Sequence, residues 1–177
     1  WLLGAIPGNC GRAEIEFLRN KLSGVRVGMH GITHDESRPN EFAHYWTAGD
    51  IEKQLRLTRE LFSEAINQDV RVYMPPHNVI DARTVSSLRT AGFKAYTGGP
   101  ETEHTYRAGA EGLQYLHSEP PHEYGRSDEM LARNSVAHLI RESAERDIWL
   151  TLHWTWETNI GLDHTEVLGD TLSKIAA

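Results

Sequence analysis

The chain has 177 residues, of which 39% are hydrophobic and 24% charged, and its formal net charge at pH 7 is −7. This length and composition are typical of one globular domain over residues 1–177 and argue against a disordered, fibrous or disulfide-based protein. The acidic balance, without a cluster of Lys and Arg, disfavours nucleic acid or an anionic membrane as a partner. No apolar run has the length of a membrane span and no targeting pattern opens the chain, so we expect a cytoplasmic location.

The first half of the chain alternates strand and helix patterns. Apolar runs predict strands at residues 1–6, 25–29, 70–74 and 93–96. Helical periodicity predicts a helix in each interval, with Thr47 and Asp81 as N-caps of the second and third. The apolar face of the second helix comprises Ile51, Leu55, Thr58, Phe62 and Ala65. Such alternation predicts parallel βαβ units, which build either a doubly wound sheet or a barrel.

The second half repeats this alternation less regularly. Residues 98–125 are rich in Gly and Pro and predict a loop region around a strand at 113–116. A long helix after Ser127, a buried strand at 148–152 and a last helix at about 165–175 follow. The chain contains neither the G-x-G-x-x-G nor the Walker A pattern, which disfavours nucleotide binding.

Histidines and rigid loop residues follow three of the predicted strands. His30 and His34 come after the second strand, Pro75-Pro76-His77-Asn78 after the third, and His153 and Trp154 after the strand at 148–152. With ten histidines in the chain, one H-x-x-x-H spacing is expected by chance roughly half of the time. Three strand ends with similar chemistry are more specific, because functional groups of parallel α/β folds collect at the carboxyl ends of strands.

These motifs resemble those of the polysaccharide deacetylases of the NodB-homology type, also called carbohydrate esterase family 4. Gly28-Met-His-Gly-Ile-Thr-His34 resembles the metal-binding motif, Tyr73-Met-Pro-Pro-His-Asn78 the proline motif of the substrate groove, and Trp149-Leu-Thr-Leu-His153 the final strand. The resemblance implies a distorted (β/α) barrel and a divalent metal, with Zn²⁺ expected, bound by His30 and His34. It implies that His153 is the general acid. The implied substrate-binding residues are Pro75, Pro76, His77, Asn78 and Trp154.

The chain departs from the family pattern in three places. The family has an Asp-Asp motif on its first strand, which supplies the third metal ligand and the catalytic base, and no Asp-Asp pair occurs here. Because residues 1–6 resemble the family's second strand, we expect the first βα unit to lie upstream. Gly31 stands where the best-known members have Ser or Thr, and Met74 stands where they have an arginine.

The sequence therefore predicts a metal-dependent hydrolase that removes acetyl groups from an N- or O-acetylated carbohydrate, such as a cell-surface polysaccharide or O-antigen. One alternative is a catalytically inactive carbohydrate-binding relative. A second is a TIM-barrel glycoside hydrolase with Glu119 and Glu157 as paired carboxylates, which would have to lie within roughly 5–10 Å of each other. His77 as a substitute ligand, and Asp35 or Glu36 as a replacement carboxylate, also stay open. The sequence leaves the oligomeric state open.

Overall fold

The computed structural model describes residues 2–20, 24–35, 37, 41–42, 46–98, 112–119 and 149–150. The chain forms two compact units, Trp1–Leu116 and His117–Ala177. The described elements of the first unit are β1 (Leu2–Ala5), α1 (Arg12–Asn20), β2 (Arg26–His30), α2 (Ala48–Ile66), β3 (Val72–Met74), α3 (Ala82–Thr90) and β4 (Ala95–Gly98). Two further strands are β5 (Gln114–Glu119) and β6 (Trp149–Leu150), whose ends pair in parallel within the second unit.

Strands β1 to β4 lie side by side in chain order, and each neighbouring pair is parallel. Helices α1, α2 and α3 form the crossovers between them. A doubly wound sheet reverses its strand order at a switch point, whereas a barrel keeps one direction. The predicted parallel α/β class is confirmed, and the single direction of these strands favours the barrel over the doubly wound sheet.

Both predicted helix caps are present. The Thr47 hydroxyl accepts a hydrogen bond from the Asp50 backbone N–H (3.1 Å), and the Asp50 carboxylate accepts one from the Thr47 N–H (3.3 Å). The Thr47 hydroxyl also donates to the Asp50 carboxylate at 2.6 Å, and this bond, followed by the one from the Thr47 N–H, lowers the pKa of Asp50 below its usual value. At α3, the Asp81 carboxylate accepts from the Thr84 N–H at 2.8 Å. Each cap satisfies donors that the first helical turn leaves without a partner.

One face of the described sheet forms the core with the apolar faces of the helices. Val27 and Met29 of β2 and Tyr73 of β3 are buried there. The buried helical residues around them are Leu18 of α1, Ile51, Leu55, Phe62 and Ile66 of α2, and Val85 and Leu88 of α3. The predicted face of α2 is thus buried at Ile51, Leu55 and Phe62, while Thr58 and Ala65 lie at its half-buried margin.

On the opposite sheet face, the Met74 side chain lies over two glycines. Gly4 and Gly28 are register partners on β1 and β2. A Cβ atom at Gly4 would lie 2.8 Å from the Met74 Sδ, and one at Gly28 would lie 3.0 Å from the Met74 Cε. Met74, which stands where the family that the sequence resembles has an arginine, therefore lies over both glycines.

The burial of the first strand differs from the prediction. The prediction of a buried first strand was wrong in its burial, since Leu3 is 38% exposed and Gly4 is exposed. The reason is that β1 is at the edge of the described strand order, with β2 on one side.

The predicted helices after Ser127 and at 165–175 lie outside the described residues. Within the described ranges, no helix has both the length and the apolarity needed to cross a membrane.

Candidate functional site

The site begins where β2 ends. Val27 and Met29 point into the core, so the alternation of the strand places His30 on the face shared with Gly28. The His30 Nδ1 lies 3.1 Å from the Met74 carbonyl oxygen. Because a carbonyl oxygen only accepts, Nδ1 carries a proton in this contact, and in the neutral ring the lone pair is then on Nε2. This is the second contact that metal-binding histidines usually make.

One imidazole ring at the end of β2 and two from the loops after β2 and β3 lie next to one another. The ring centres of His30 and His34 are 4.8 Å apart, with planes inclined by 57°. The ring of His77, from the turn after β3, has its centre 4.6 Å from that of His34. The structure therefore brings together both predicted metal ligands and one predicted substrate-binding residue.

The residues of the turn after β3 differ in their exposure to solvent. Pro75 and Pro76 are buried, whereas His77 is exposed and Asn78 is half-buried. The Asn78 N–H donates to the Pro75 carbonyl (3.1 Å), and the Val79 N–H donates to the Pro76 carbonyl (3.0 Å). The prolines thus shape the turn, and the side chains it presents to solvent are those of His77 and, in part, Asn78.

The loops that carry these histidines contain residues in the left-handed backbone region. The φ angles are 52° at His34, 54° at His77 and 57° at Asn78. Residues other than glycine adopt this region at a cost of order 1–2 kcal/mol, and such conformations concentrate at functional sites. The strain supports a functional interpretation of the two loops.

Close packing between the loops explains the glycine in the H-G-x-x-H pattern. Gly31 has φ 66°, and a Cβ there would lie 2.5 Å from the Pro76 Cγ and 2.9 Å from the Glu41 Oε2. The Gly31 N–H also donates to the Met74 carbonyl at 3.0 Å. A Ser or Thr at this position would collide with the buried proline, so the departure from the family pattern follows from the contact between the loops.

Glu41 belongs to the site although no motif of the sequence singled it out. Its half-buried carboxylate accepts from the backbone N–H groups of Ile32 and Thr33, at 2.6–2.8 Å, and from that of His34 at 3.3 Å. It also accepts from the Tyr73 hydroxyl at 3.4 Å. Burial, followed by the charge of Glu41, raises the pKa of Tyr73 well above its usual value. No local pattern indicates these contacts, because Glu41 is seven residues beyond His34.

The remaining predicted site residues lie either outside the described residues or in a local turn. Glu36, His153 and Trp154 lie outside the described residues, as does Glu157 of the glycosidase alternative. Asp35 accepts from the backbone N–H and the hydroxyl of Ser37, at 2.9 and 2.6 Å, which is a local turn. No described contact favours the glycosidase alternative.

The donor set fits a metal in part. Since a Zn–N bond is about 2.1 Å long and the ring centre lies about 1 Å behind the nitrogen, two imidazoles on one ion have centres at most about 6.5 Å apart. The 4.8 Å between His30 and His34 meets this limit. In the part of the chain that the structure describes, His, Cys, Asp and Glu form no group of three or more that could hold a metal ion. The two histidines thus fit as half of a site.

The chain is similar to known proteins over much of its length. The sequence profile of the family described as "Polysaccharide deacetylase" matches residues 5–96. Among solved structures, the Xyl-CE4 domain of a multidomain xylanase from the hindgut metagenome of Trinervitermes trinervoides matches with 12% identity and a TM-score of 0.48. That match covers 96% of this chain and 69% of the other. No curated protein is significantly similar in sequence.

Proposed function

The chain belongs to the polysaccharide deacetylase family, and from this premise we propose that it is a metal-dependent hydrolase that removes acetyl groups from an N- or O-acetylated carbohydrate. The observation that carries the proposal is the proximity of His30 and His34 at the carboxyl end of β2, with ring centres 4.8 Å apart. The segment that contains them lies inside the matched residues 5–96. A cell-surface polysaccharide or O-antigen is the substrate that we expect.

In this proposal His30 and His34 hold the cation. The bond from His30 Nδ1 to the Met74 carbonyl fixes the tautomer in which Nε2 has the lone pair for ligation. A divalent cation such as Zn²⁺ supplies, when bound, a Lewis acid for the acetyl carbonyl and lowers the pKa of a water molecule towards 7. His77 and Asn78 lie next to this point and would contact the sugar, with Pro75 and Pro76 shaping the turn behind them.

Two further roles come from the family resemblance alone. His153 would protonate the leaving group, as general acids do in such reactions. Trp154 would stack on a sugar ring, since aromatic faces suit the apolar faces of sugars. The catalytic base would be the family's aspartate. Met74, in place of the family's arginine, offers no charge to orient that base, so we expect slower turnover than in members with the arginine.

Acetate release by the full-length gene product from chitin oligosaccharides and from acetylated xylan, with and without added Zn²⁺, tests the proposal. We expect release that depends on Zn²⁺ and falls by at least 10²-fold in His30→Ala and His34→Ala. Arg12→Ala is the control, because the Arg12 side chain is 92% exposed and belongs to α1; it should retain the wild-type rate.

Zn²⁺ binding measured by calorimetry distinguishes a metal-dependent deacetylase from a catalytically inactive carbohydrate-binding relative. An inactive carbohydrate-binding relative would bind the oligosaccharides without releasing acetate and without a Zn²⁺ isotherm. Equal acetate release by the wild type and both histidine variants would contradict the metal role of His30 and His34.

A further inference from the structure

We infer that Glu41 is a positioning residue, whose carboxylate holds the loop at residues 31–34 in the conformation that places the His34 imidazole beside His30. The effect of Glu41 on metal binding rests on the proposed function, whereas its effect on the conformation of the loop does not. The sequence places Glu41 beyond the loop, and its bonds to the loop are to backbone N–H groups and the Thr33 hydroxyl. It acts through the backbone that carries the His34 imidazole.

The first step is the hydrogen bonding of three consecutive amides. The N–H groups of Ile32, Thr33 and His34 all point at the Glu41 carboxylate, and the Thr33 hydroxyl donates to it as well at 3.4 Å. Successive N–H groups that converge in this way form a concave site for an anion. Bonds to an ionised acceptor are about twice as strong as neutral ones, so the carboxylate is a better partner here than water or an amide.

The second step is the strain that these bonds offset. The loop enters the left-handed region at Gly31 (φ 66°) and again at His34 (φ 52°). This backbone path directs the N–H groups of Ile32 and Thr33 towards the Glu41 carboxylate rather than towards a neighbouring strand. Without the Glu41 carboxylate, the half-buried N–H groups of Ile32 and His34 would lack an acceptor. A rearranged loop would then have the lower free energy.

The third step is that Glu41 is itself held in place. Phe42, the next residue, is 2% exposed, and its ring packs edge-on against Trp46 with centres 5.9 Å apart. The Tyr73 hydroxyl, on the buried strand β3, donates to the second carboxylate oxygen. On its other side the loop is anchored by the Ile32 carbonyl, which accepts from the Gly8 N–H at 2.7 Å. Because the core holds Glu41 in place, the bonds from the loop to Glu41 fix the position of the loop that carries His34.

Glu41→Gln in the full chain tests the inference, with Glu64→Gln as the matched control on the exposed surface of α2. An amide offers one acceptor oxygen and brings an NH₂ group towards amide donors. We expect hydrogen exchange of the Ile32 and Thr33 amides to be at least tenfold faster in Glu41→Gln, and Zn²⁺ affinity to be 10–100-fold weaker, as for other residues that orient metal ligands. Glu64→Gln should change neither.

The outcomes are distinguishable. Wild-type exchange and wild-type Zn²⁺ affinity in Glu41→Gln would overturn the inference, as would a lowered Tm with unchanged Zn²⁺ affinity, which indicates a purely structural role. If the wild type neither binds Zn²⁺ nor releases acetate, the proposed function fails while the exchange rates still decide the role of Glu41 in the loop. If Glu41→Gln does not fold, unprotected Ile32 and Thr33 amides in the wild type would overturn the inference, and protected ones would support it.

Discussion

The loops after β2 and β3 both carry a histidine on a left-handed backbone, but they hold that backbone by different means. In the loop after β2, the amides of residues 32–34 bond to Glu41, a residue that follows seven positions after His34. In the turn after β3, the stabilising bonds return to the Pro75 and Pro76 carbonyls within three residues. The first loop depends on a distant carboxylate and the second on proline geometry. Two histidines whose rings lie side by side can thus have unequal robustness to mutation.

Gly31→Ala should have the largest effect, because it breaks the contact between the two loops. A methyl group would add the cost of a left-handed alanine to overpacking against Pro76, and we expect a loss of about 3 kcal/mol in the free energy of unfolding. Urea denaturation measures it. The control is Gly24→Ala, since Gly24 has φ 76° and nothing within 4 Å of its Cβ position; it should cost about 1 kcal/mol. Equal losses would show that the loops do not collide.

Pro76→Ala tests whether the proline is the other side of that collision. By itself it should cost about 1–2 kcal/mol, because a buried ring is truncated and the unfolded chain gains freedom. In its background, the penalty of Gly31→Ala should fall by about 1 kcal/mol or more. The double-mutant cycle is measured by the same urea titrations. Strict additivity would contradict the direct contact.

Asp81→Ala tests the local stabilisation that follows the second turn. Loss of the N-cap of α3 should cost about 1 kcal/mol. Burial raises the pKa of Asp81, but the bonds from Thr84 and Arg83 outweigh it, so the folded-state pKa is lowered. The stabilisation is therefore present above the unfolded pKa and lost as the pH falls through the folded one. Thermal melts of both proteins from pH 7 to pH 2 should converge at the acidic end; a constant gap would contradict the role of the charge.

Tyr73→Phe should have the smallest effect. At 3.4 Å its hydroxyl is the long partner of Glu41, and the three amides remain. We expect a loss of about 0.5 kcal/mol in chemical denaturation and little change in the exchange of the Ile32 and Thr33 amides. A loss above about 2 kcal/mol would mean that Tyr73, rather than the loop amides, fixes the carboxylate.

Features encoded by short-range pattern were predicted best. The caps at Thr47 and Asp81 and the parallel strand–helix alternation were all read from residues close in sequence and are confirmed. His30 and His34 were singled out by their position at a strand end, their metal-binding role was implied by the family resemblance, and the structure places their rings together. Their ligation of a metal, and the roles of His77 and His153, stay predictions.

What the sequence by itself determined is the order of the elements and the chemistry at the strand ends, because hydrophobic period and capping bonds act over three or four residues. Tertiary structure decided the contacts between elements: the Glu41 carboxylate under the His34 loop, Met74 over Gly4 and Gly28, and Pro76 against Gly31. Each of these joins segments that are distant along the chain or separated by an irregular loop. Only the packing of β1, β2 and β3 side by side fixes which loop reaches which, and no local pattern records it.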